Sequence, residues 1–145
     1  MRETLRTAMR AGVVAGVLSG LPSTLYSAAS GSDPLEATAA AGSILLPHEE
    51  RTPVLVAAAI PLHLTISVVW SLALALVLPP RRTILWGALA GLGIAALDLG
   101  PLARPFPRVR ALRLGPQVAD HLAFGAIAAA VIKRSQRSPI SAGAT

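Results

Sequence analysis

The chain has 145 residues, of which 53% are hydrophobic, 3% are aromatic and only 14% are charged. An average soluble domain has about a quarter of its residues charged, so this composition excludes an ordinary soluble protein and predicts a single membrane domain over 1–145. The absence of cysteine excludes disulfides, thiolate zinc sites and iron–sulfur clusters from this chain. Because the composition predicts a membrane protein, the basic residues behind the net charge of +6 are interpreted first by their positions relative to the membrane.

Four stretches almost free of charge predict four membrane-spanning helices, because about 20 apolar residues cross about 30 Å of hydrocarbon. The stretches 11–32 and 52–80 are uncharged over 22 and 29 residues. The third stretch is interrupted only by Asp98 and the fourth only by Asp120. We therefore expect an all-α, four-helix transmembrane bundle with helices at about 8–29, 53–78, 83–102 and 116–133.

The first span has an alternative interpretation as a secretory signal peptide. Basic residues precede a short apolar core, and Ser27 and Ala29 resemble a cleavage site. Against this, the same stretch carries two overlapping G-x-x-x-G steps, which are typical of packed membrane helices, at Gly12, Gly16 and Gly20. We therefore expect residues 1–29 to be part of the bundle.

The charges at the span ends predict the orientation. With the N-terminus inside, eight Lys and Arg residues lie on the cytoplasmic side and five on the outer side, which places both termini in the cytoplasm of a bacterial inner membrane. The short inner turn at 79–82 predicts that the second and third spans are antiparallel neighbours. In the first outer loop, Asp33, Pro34 and Glu36 are helix-start signals, which predict a short extra helix at about 34–46.

Small and polar residues recur at a spacing of four along the spans. Gly87 and Gly91 repeat the glycine theme on the third helix, and the polar positions are Ser19, Ser23, Ser27, His63, Ser67 and Ser71. Residues four apart share a helix face, so these stripes should turn inward, where glycine allows close packing and hydroxyls form interhelical hydrogen bonds. The glycines of the first span can mediate contacts within one chain or between copies in a homo-oligomer.

Four ionisable residues fall inside the spans, and they are His63, Asp98, Asp120 and His121. Ionisable groups at membrane depth are costly and are therefore functional candidates. At 1.5 Å per residue, three of them lie about 6–9 Å below the outer helix ends and His63 lies about 15 Å below. This outer-half cluster predicts that the protein binds or moves a proton, a cation or a small polar ligand.

Two alternatives remain open for the same residues. In the first, they only satisfy structural needs, since a carboxylate near the start of the helix at Pro116 is favoured by the helix dipole and Asp98 can pair with a loop arginine. The chain is then an accessory subunit that packs against a membrane partner protein. In the second, His63 and His121 hold a haem or a metal, although no H-x-x-x-H spacing exists and their depths differ. No cofactor and no metal are part of the preferred interpretation.

Other functions find little support in the sequence. No G-x-S-x-G motif frames a nucleophile, so no catalytic residues are predicted. Nucleic acid is not an expected partner, because the arginines lie at membrane edges without interleaved aromatic residues. The third loop carries basic residues that predict contact with lipid headgroups or another anion, at Arg104, Arg108, Arg110 and Arg113.

Four segments resemble those of small uncharacterised four-helix membrane proteins of bacteria: SDPLEA (32–37), ALDLG (96–100), RAL (110–112) and QVADHLAFG (117–125). The resemblance covers nearly the whole chain and implies the four-helix architecture. It implies no activity, so the functional expectation rests on the outer-half cluster alone.

Overall fold

The computed structural model describes residues 2–137, with residue 137 described for its backbone only. The predicted domain range 1–145 therefore includes nine positions outside the described residues. Within these residues every element of regular secondary structure is a helix, as predicted, and there is no strand. The helices are α1 (Arg2–Leu18), α2 (Leu21–Ser30), α3 (Glu36–Gly42), α4 (Thr52–Val77), α5 (Thr83–Asp98), α6 (Pro107–Ala111) and α7 (Leu114–Arg137).

Three helical segments are long and apolar enough to cross a membrane. They are Arg2–Ser30, which joins α1 and α2, then α4 and Leu114–Gln136, with mean hydropathies of 1.2, 2.0 and 1.2. The third predicted span, 83–102, ends earlier because Gly100 and Pro101 follow the last turn and proline cannot continue a helix. The resulting α5 has 16 residues and is about 24 Å long.

The first predicted span, 8–29, is divided into two helices by a break at Ser19 and Gly20. Pro22 lies in the first turn of α2, where its missing N–H costs nothing, whereas in one continuous helix it would leave the Leu18 carbonyl without a partner. Beyond the break, the Gly20 carbonyl accepts bonds from the backbone N–H and the hydroxyl of Thr24, at 3.1 and 2.8 Å. The break thus leaves N–H groups in the first turn of α2 and carbonyl groups in the last turn of α1 without a partner in their own helix.

The long helices pack in the order α4, α1, α7, α5, with α1 and α7 in the middle. This differs from the sequence expectation for the second and third spans, because α4 and α5 follow one another across 79–82 and yet make no extensive contact within 2–137. The short α3 packs on α4, and α6 contacts α3. We call the end of the bundle that carries α3 and α6 the loop end, and the opposite end, with Arg2 and the 79–82 turn, the terminal end.

Small residues allow the long helices to approach closely. Ala8, Ala11 and Ala15 on α1 are completely buried. A Cβ atom on Gly12 would lie 2.7 Å from the Cα atom of Val68, and Gly87 lies directly against the backbone of Gly125. Many large apolar side chains, in contrast, point away from the bundle, which is the arrangement expected of a surface that faces lipid.

Candidate functional site

The four ionisable residues predicted to cluster lie on three of the long helices. His63 is on α4, Asp98 is the last residue of α5, and Asp120 and His121 are two turns into α7. The α5 and α7 helices run antiparallel in close contact, so the end of α5 comes to the early part of α7. The break between α1 and α2 lies against the other side of the same region.

His121 and Asp98 form the one ion-pair contact between two long helices among residues 2–136. The Nε2 atom of His121 lies 3.3 Å from Oδ2 of Asp98, and both side chains are about one-fifth exposed, at 20% and 24%. The Nδ1 atom donates to the Gln117 carbonyl oxygen at 2.8 Å, which fixes the ring on its own helix. The hydrogen bond to Asp98 therefore contains one proton, held either by the imidazole or by the carboxyl group.

Asp120 has a different role, because its carboxylate caps the N-terminus of α2 at the helix break. Its Oδ1 atom accepts a hydrogen bond from the backbone N–H of Ser23 at 2.8 Å. Ser23 is in the first turn of α2, where backbone N–H groups have no partner within the helix. A carboxylate at that position is also favoured by the helix dipole. The predicted dipole effect on Asp120 thus comes from a neighbouring helix, α2, and not from its own, because α7 begins at Leu114 and Asp120 lies two turns into it.

His63 occupies the other side of the break. Its Nε2 atom donates to the carbonyl oxygen of Gly16 at 2.9 Å, in the last turn of α1. Carbonyl groups in the last turn of a helix lack intrahelical partners, and a cationic or donating group is favoured there. His63 and Asp120 therefore satisfy the two halves of the break, even though the His63 side chain is otherwise exposed.

Their hydrogen bonds and positions arrange the four groups as a series that alternates base and acid. His63 and Asp120 bond to the two sides of the α1–α2 break, Asp120 and His121 are adjacent on α7, and His121 bonds to Asp98. The order is therefore His63, Asp120, His121, Asp98. Because each neighbour has the opposite charge when ionised, the series can hold or lose protons without gathering like charges in a medium of low polarity.

A small cleft opens at the loop end beside this series. Its lining includes Ser23, which binds Asp120, and Gln117, which binds His121, together with Tyr26, Glu36 and Arg113. The space inside it is about 30 Å³. One water molecule needs about 10–15 Å³ of such space, so this cleft has room for water or a hydrated proton and is too small for an organic ligand.

The predicted serine seam packs the helices but does not bond them together. Among residues 2–136, the hydroxyls of Ser19, Ser27, Ser67 and Ser71 make no hydrogen bond. The Ser23 hydroxyl bonds to the Gly20 carbonyl at 3.2 Å and also lies within reach of the Asp120 carboxylate. Ser67 lies against Gly16, where an added Cβ would be 2.8 Å from its oxygen. Ser71 is fully buried, and its oxygen is without a partner. The seam therefore works through small volume rather than through hydroxyl bonds.

The glycines predicted to mediate packing fall into two groups. Gly12, Gly16, Gly87 and Gly91 each lie against a neighbouring helix, whereas a Cβ on Gly20 would meet nothing within 4 Å. Gly20 lies at the helix break instead. Gly125 is a contact residue that the sequence reasoning missed, and its spacing of four from Ala129 is the small-x-x-x-small pattern that would have revealed it.

The arginines of the third loop differ in their surroundings. Arg113 donates to the Tyr26 hydroxyl at 2.8 Å, and its guanidinium lies 5.7 Å from the ring centre. Arg104, Arg108 and Arg110 are exposed and form no ion pair with any Asp or Glu side chain of residues 2–136. Asp98 pairs with His121, so the predicted alternative of a bond to a loop arginine is not what the structure has.

The acidic loop residues do not neutralise these arginines. Glu49 binds Arg51 within its own loop, with Oε2 2.8 Å from Nη2. The side-chain and backbone hydrogen bonds from Arg51 lower the pKa of Glu49 to about 2. Because this pair is exposed, it organises the entry to α4 and contributes little stability.

Comparison of the chain with known protein families, with curated proteins and with solved structures gives no match. The geometry of the described residues is therefore the basis for assigning a function.

Proposed function

We propose that the protein is an integral protein of the bacterial inner membrane, built as a four-helix transmembrane bundle with both termini in the cytoplasm. The short α5 is about 24 Å long and packs along α7, so a bilayer crossed by α7 also surrounds α5. The excess of Lys and Arg at the terminal end supports the orientation, in which the loop end faces outward.

Within this bundle, the chain takes up a proton from the outer side and passes it inward along the series Asp98, His121, Asp120 and His63. The observation that carries this proposal is the His121–Asp98 contact between two membrane helices, which holds one proton in either of two places. Such acid and histidine pairs inside membranes mark proton relays in pumps and transporters.

The outer cleft supports a proton over the other predicted ligands. With room for about one water molecule, it supplies hydrogen-bonded water next to Ser23 and Gln117. A small organic ligand needs a pocket of roughly 300 Å³ or more. The larger groove at the loop end, about 440 Å³, is lined by none of the four residues of the series. A hard cation prefers six or more oxygen ligands, whereas Asp98 and Asp120 are already hydrogen-bonded to His121 and Ser23.

The test is proton flux through vesicles that contain the full-length protein and a trapped pH-sensitive dye. After the outer solution is acidified, we expect wild-type vesicles to equilibrate faster than empty vesicles. Asp98→Asn and His121→Gln should each return the rate to that of empty vesicles, because the pair can no longer exchange its proton. The control His48→Gln removes an exposed loop histidine and should leave the rate unchanged.

Circular dichroism on each preparation shows that the variants retain their helices. Wild-type vesicles no faster than empty ones would overturn the proposal, as would a His121→Gln variant with the wild-type rate. A loss of flux equal in His48→Gln and His121→Gln would also overturn it, since the effect would not be local to the pair.

A second candidate function is that of an accessory subunit for a membrane partner, and one observation favours it. His63 and Asp120 each cap one side of the helix break, so structure alone accounts for two of the four ionisable residues. Under this alternative, a native pull-down returns one stoichiometric membrane protein and the vesicle rates of wild type and variants are equal.

The haem or metal alternative gains no support from the described residues. Residues 2–136 contain no group of three or more His, Asp and Glu side chains arranged to hold a metal ion. Both ring nitrogens of His121 are already hydrogen-bonded, and the bonded nitrogen of His63 faces a backbone carbonyl.

A further inference from the structure

Three arginines at the loop end have no acidic partner. Arg104 precedes α6, and Arg108 and Arg110 lie on it; we call these three the arginine loop. All three side chains are exposed, and none lies within ion-pair distance of any of the chain's seven Asp and Glu side chains. Their charge is thus available to something outside the chain.

Two of the three arginines are better placed for an external anion than the third. Arg108 lines an open groove that also contains Asp33 and Glu36, whose negative charges oppose the approach of an anion. Arg104 and Arg110 do not line that groove. Arg113, further along, is already engaged by Tyr26. The anion-binding capacity of the loop therefore lies chiefly with Arg104 and Arg110.

The same segment carries apolar side chains that suit the edge of a bilayer. Leu102 and Leu114, on either side of the arginine loop, are 56% and 64% exposed. Leu102 follows the end of α5 and Leu114 begins α7, so both lie where these helices leave the bundle core. At the edge of a bilayer, such exposed leucines can lie in the hydrocarbon while the arginines beside them lie among the headgroups.

The backbone of the loop is held in place before any ligand binds. Pro101, Pro105 and Pro107 each fix a φ angle, and α6 packs against α3. A binding segment that is already ordered loses less conformational entropy when it binds. The arginine loop is in this sense preorganised.

We propose that the arginine loop binds the phosphodiester group of an acidic phospholipid in the leaflet that faces the loop end. Guanidinium groups form paired hydrogen bonds to phosphate oxygens, and basic residues next to a bilayer attract anionic lipids. Nucleic acid is a poorer match, because Phe106, the aromatic residue of this loop, is partly buried and offers no open stacking face. This inference is independent of the proton proposal and of the direction in which the bundle is inserted.

The experiment uses the full-length protein, stripped of lipid in a neutral detergent and then mixed with phosphatidylglycerol. Native mass spectrometry counts the lipids retained per chain, with phosphatidylcholine as the comparison lipid. We expect wild type to retain phosphatidylglycerol in preference to phosphatidylcholine. In the double variant Arg104→Gln/Arg110→Gln, we expect the affinity for phosphatidylglycerol to fall by about tenfold or more, since each arginine near an anionic surface contributes a similar share of the attraction.

The matched control is Arg2→Gln/Arg6→Gln, which removes the same charge from two exposed positions at the terminal end. The control should retain phosphatidylglycerol at least severalfold more tightly than the loop variant. Equal losses in the two variants would overturn the proposal, because the attraction would then reflect net charge alone. Displacement of the lipid by millimolar inorganic phosphate would also overturn it and would identify a site for free anions.

Discussion

Gly91 shows how one missing side chain controls the contact that carries the candidate site. An added Cβ atom there would run into the carbonyl oxygen of His121 and would lie 3.2 Å from the Cα atom of Leu122. The α5 and α7 backbones can approach closely only because this space is empty. The approach in turn brings Asp98 to His121.

Gly91→Ala should therefore destabilise the protein, by about 1–3 kcal/mol, because the backbone of α7 must move to make room. Gly93→Ala is the matched control on the same helix, since an added Cβ would meet nothing within 4 Å. That change should be neutral or stabilising by about 0.5–1 kcal/mol, because alanine loses less backbone entropy in a helix. Thermal unfolding in detergent, followed by circular dichroism, compares the two.

Equal effects at Gly91 and Gly93 would contradict the close approach of α5 and α7. Gly91 was predicted as a packing residue from its spacing, but sequence alone could not show that it packs against His121. The spacing identifies a helix face, and the partner of that face depends on tertiary structure.

The break between α1 and α2 is the element that organises the rest of the site. Gly20 and Pro22 were visible signals, yet the charge gap predicted one helix over 8–29 because proline is tolerated inside membrane helices. The prediction of an apolar span is local and was sound. The caps supplied by His63 and Asp120 come from other helices, so no local pattern could have assigned them.

Asp120 should be replaceable by asparagine more easily than by alanine. Asp120→Asn keeps an oxygen that accepts the Ser23 N–H, although a neutral acceptor gives a weaker bond. Asp120→Ala leaves that N–H buried without a partner, at a cost of about 1–3 kcal/mol. Amide hydrogen exchange measures this directly, and we expect exchange at Ser23 to be fastest in the alanine variant and slowest in wild type.

The Ala39 amide, within α3, is the internal reference for that experiment, because it bonds to Leu35 and does not depend on Asp120. Its exchange should be the same in all three proteins. Unchanged protection of Ser23 in the alanine variant would show that Asp120 does not hold the break.

At the scale of the whole molecule, the order of the helices was the hardest feature to predict. The composition and the charge gaps predicted an all-helical membrane protein, since both follow from the cost of placing charge in hydrocarbon. The short turn at 79–82 wrongly favoured contact between α4 and α5. In lipid, packing depends on which surfaces of small residues match, and α5 matches α7 through Gly87, Gly91 and Gly125.

Cysteine cross-linking tests this order, because the natural chain has no cysteine to interfere. A Cβ atom on Gly16 would lie 3.1 Å from the Cβ atom of Ser67, so a small shift reaches disulfide geometry. Gly16→Cys/Ser67→Cys should therefore form a disulfide within one chain on mild oxidation. Val69→Cys/Leu92→Cys, two exposed positions on α4 and α5 at matching distances from the 79–82 turn, should remain reduced.

Mass spectrometry after blocking of free thiols distinguishes the two outcomes, and circular dichroism checks that both variants keep their helices. A disulfide within the monomer at Val69 and Leu92 would place α4 beside α5 and contradict the order α4, α1, α7, α5. Because His63 reaches Gly16 across the α4–α1 contact and Asp98 reaches His121 across the α7–α5 contact, that result would also separate the four residues of the proposed series. A different helix order would therefore also rule out the candidate site.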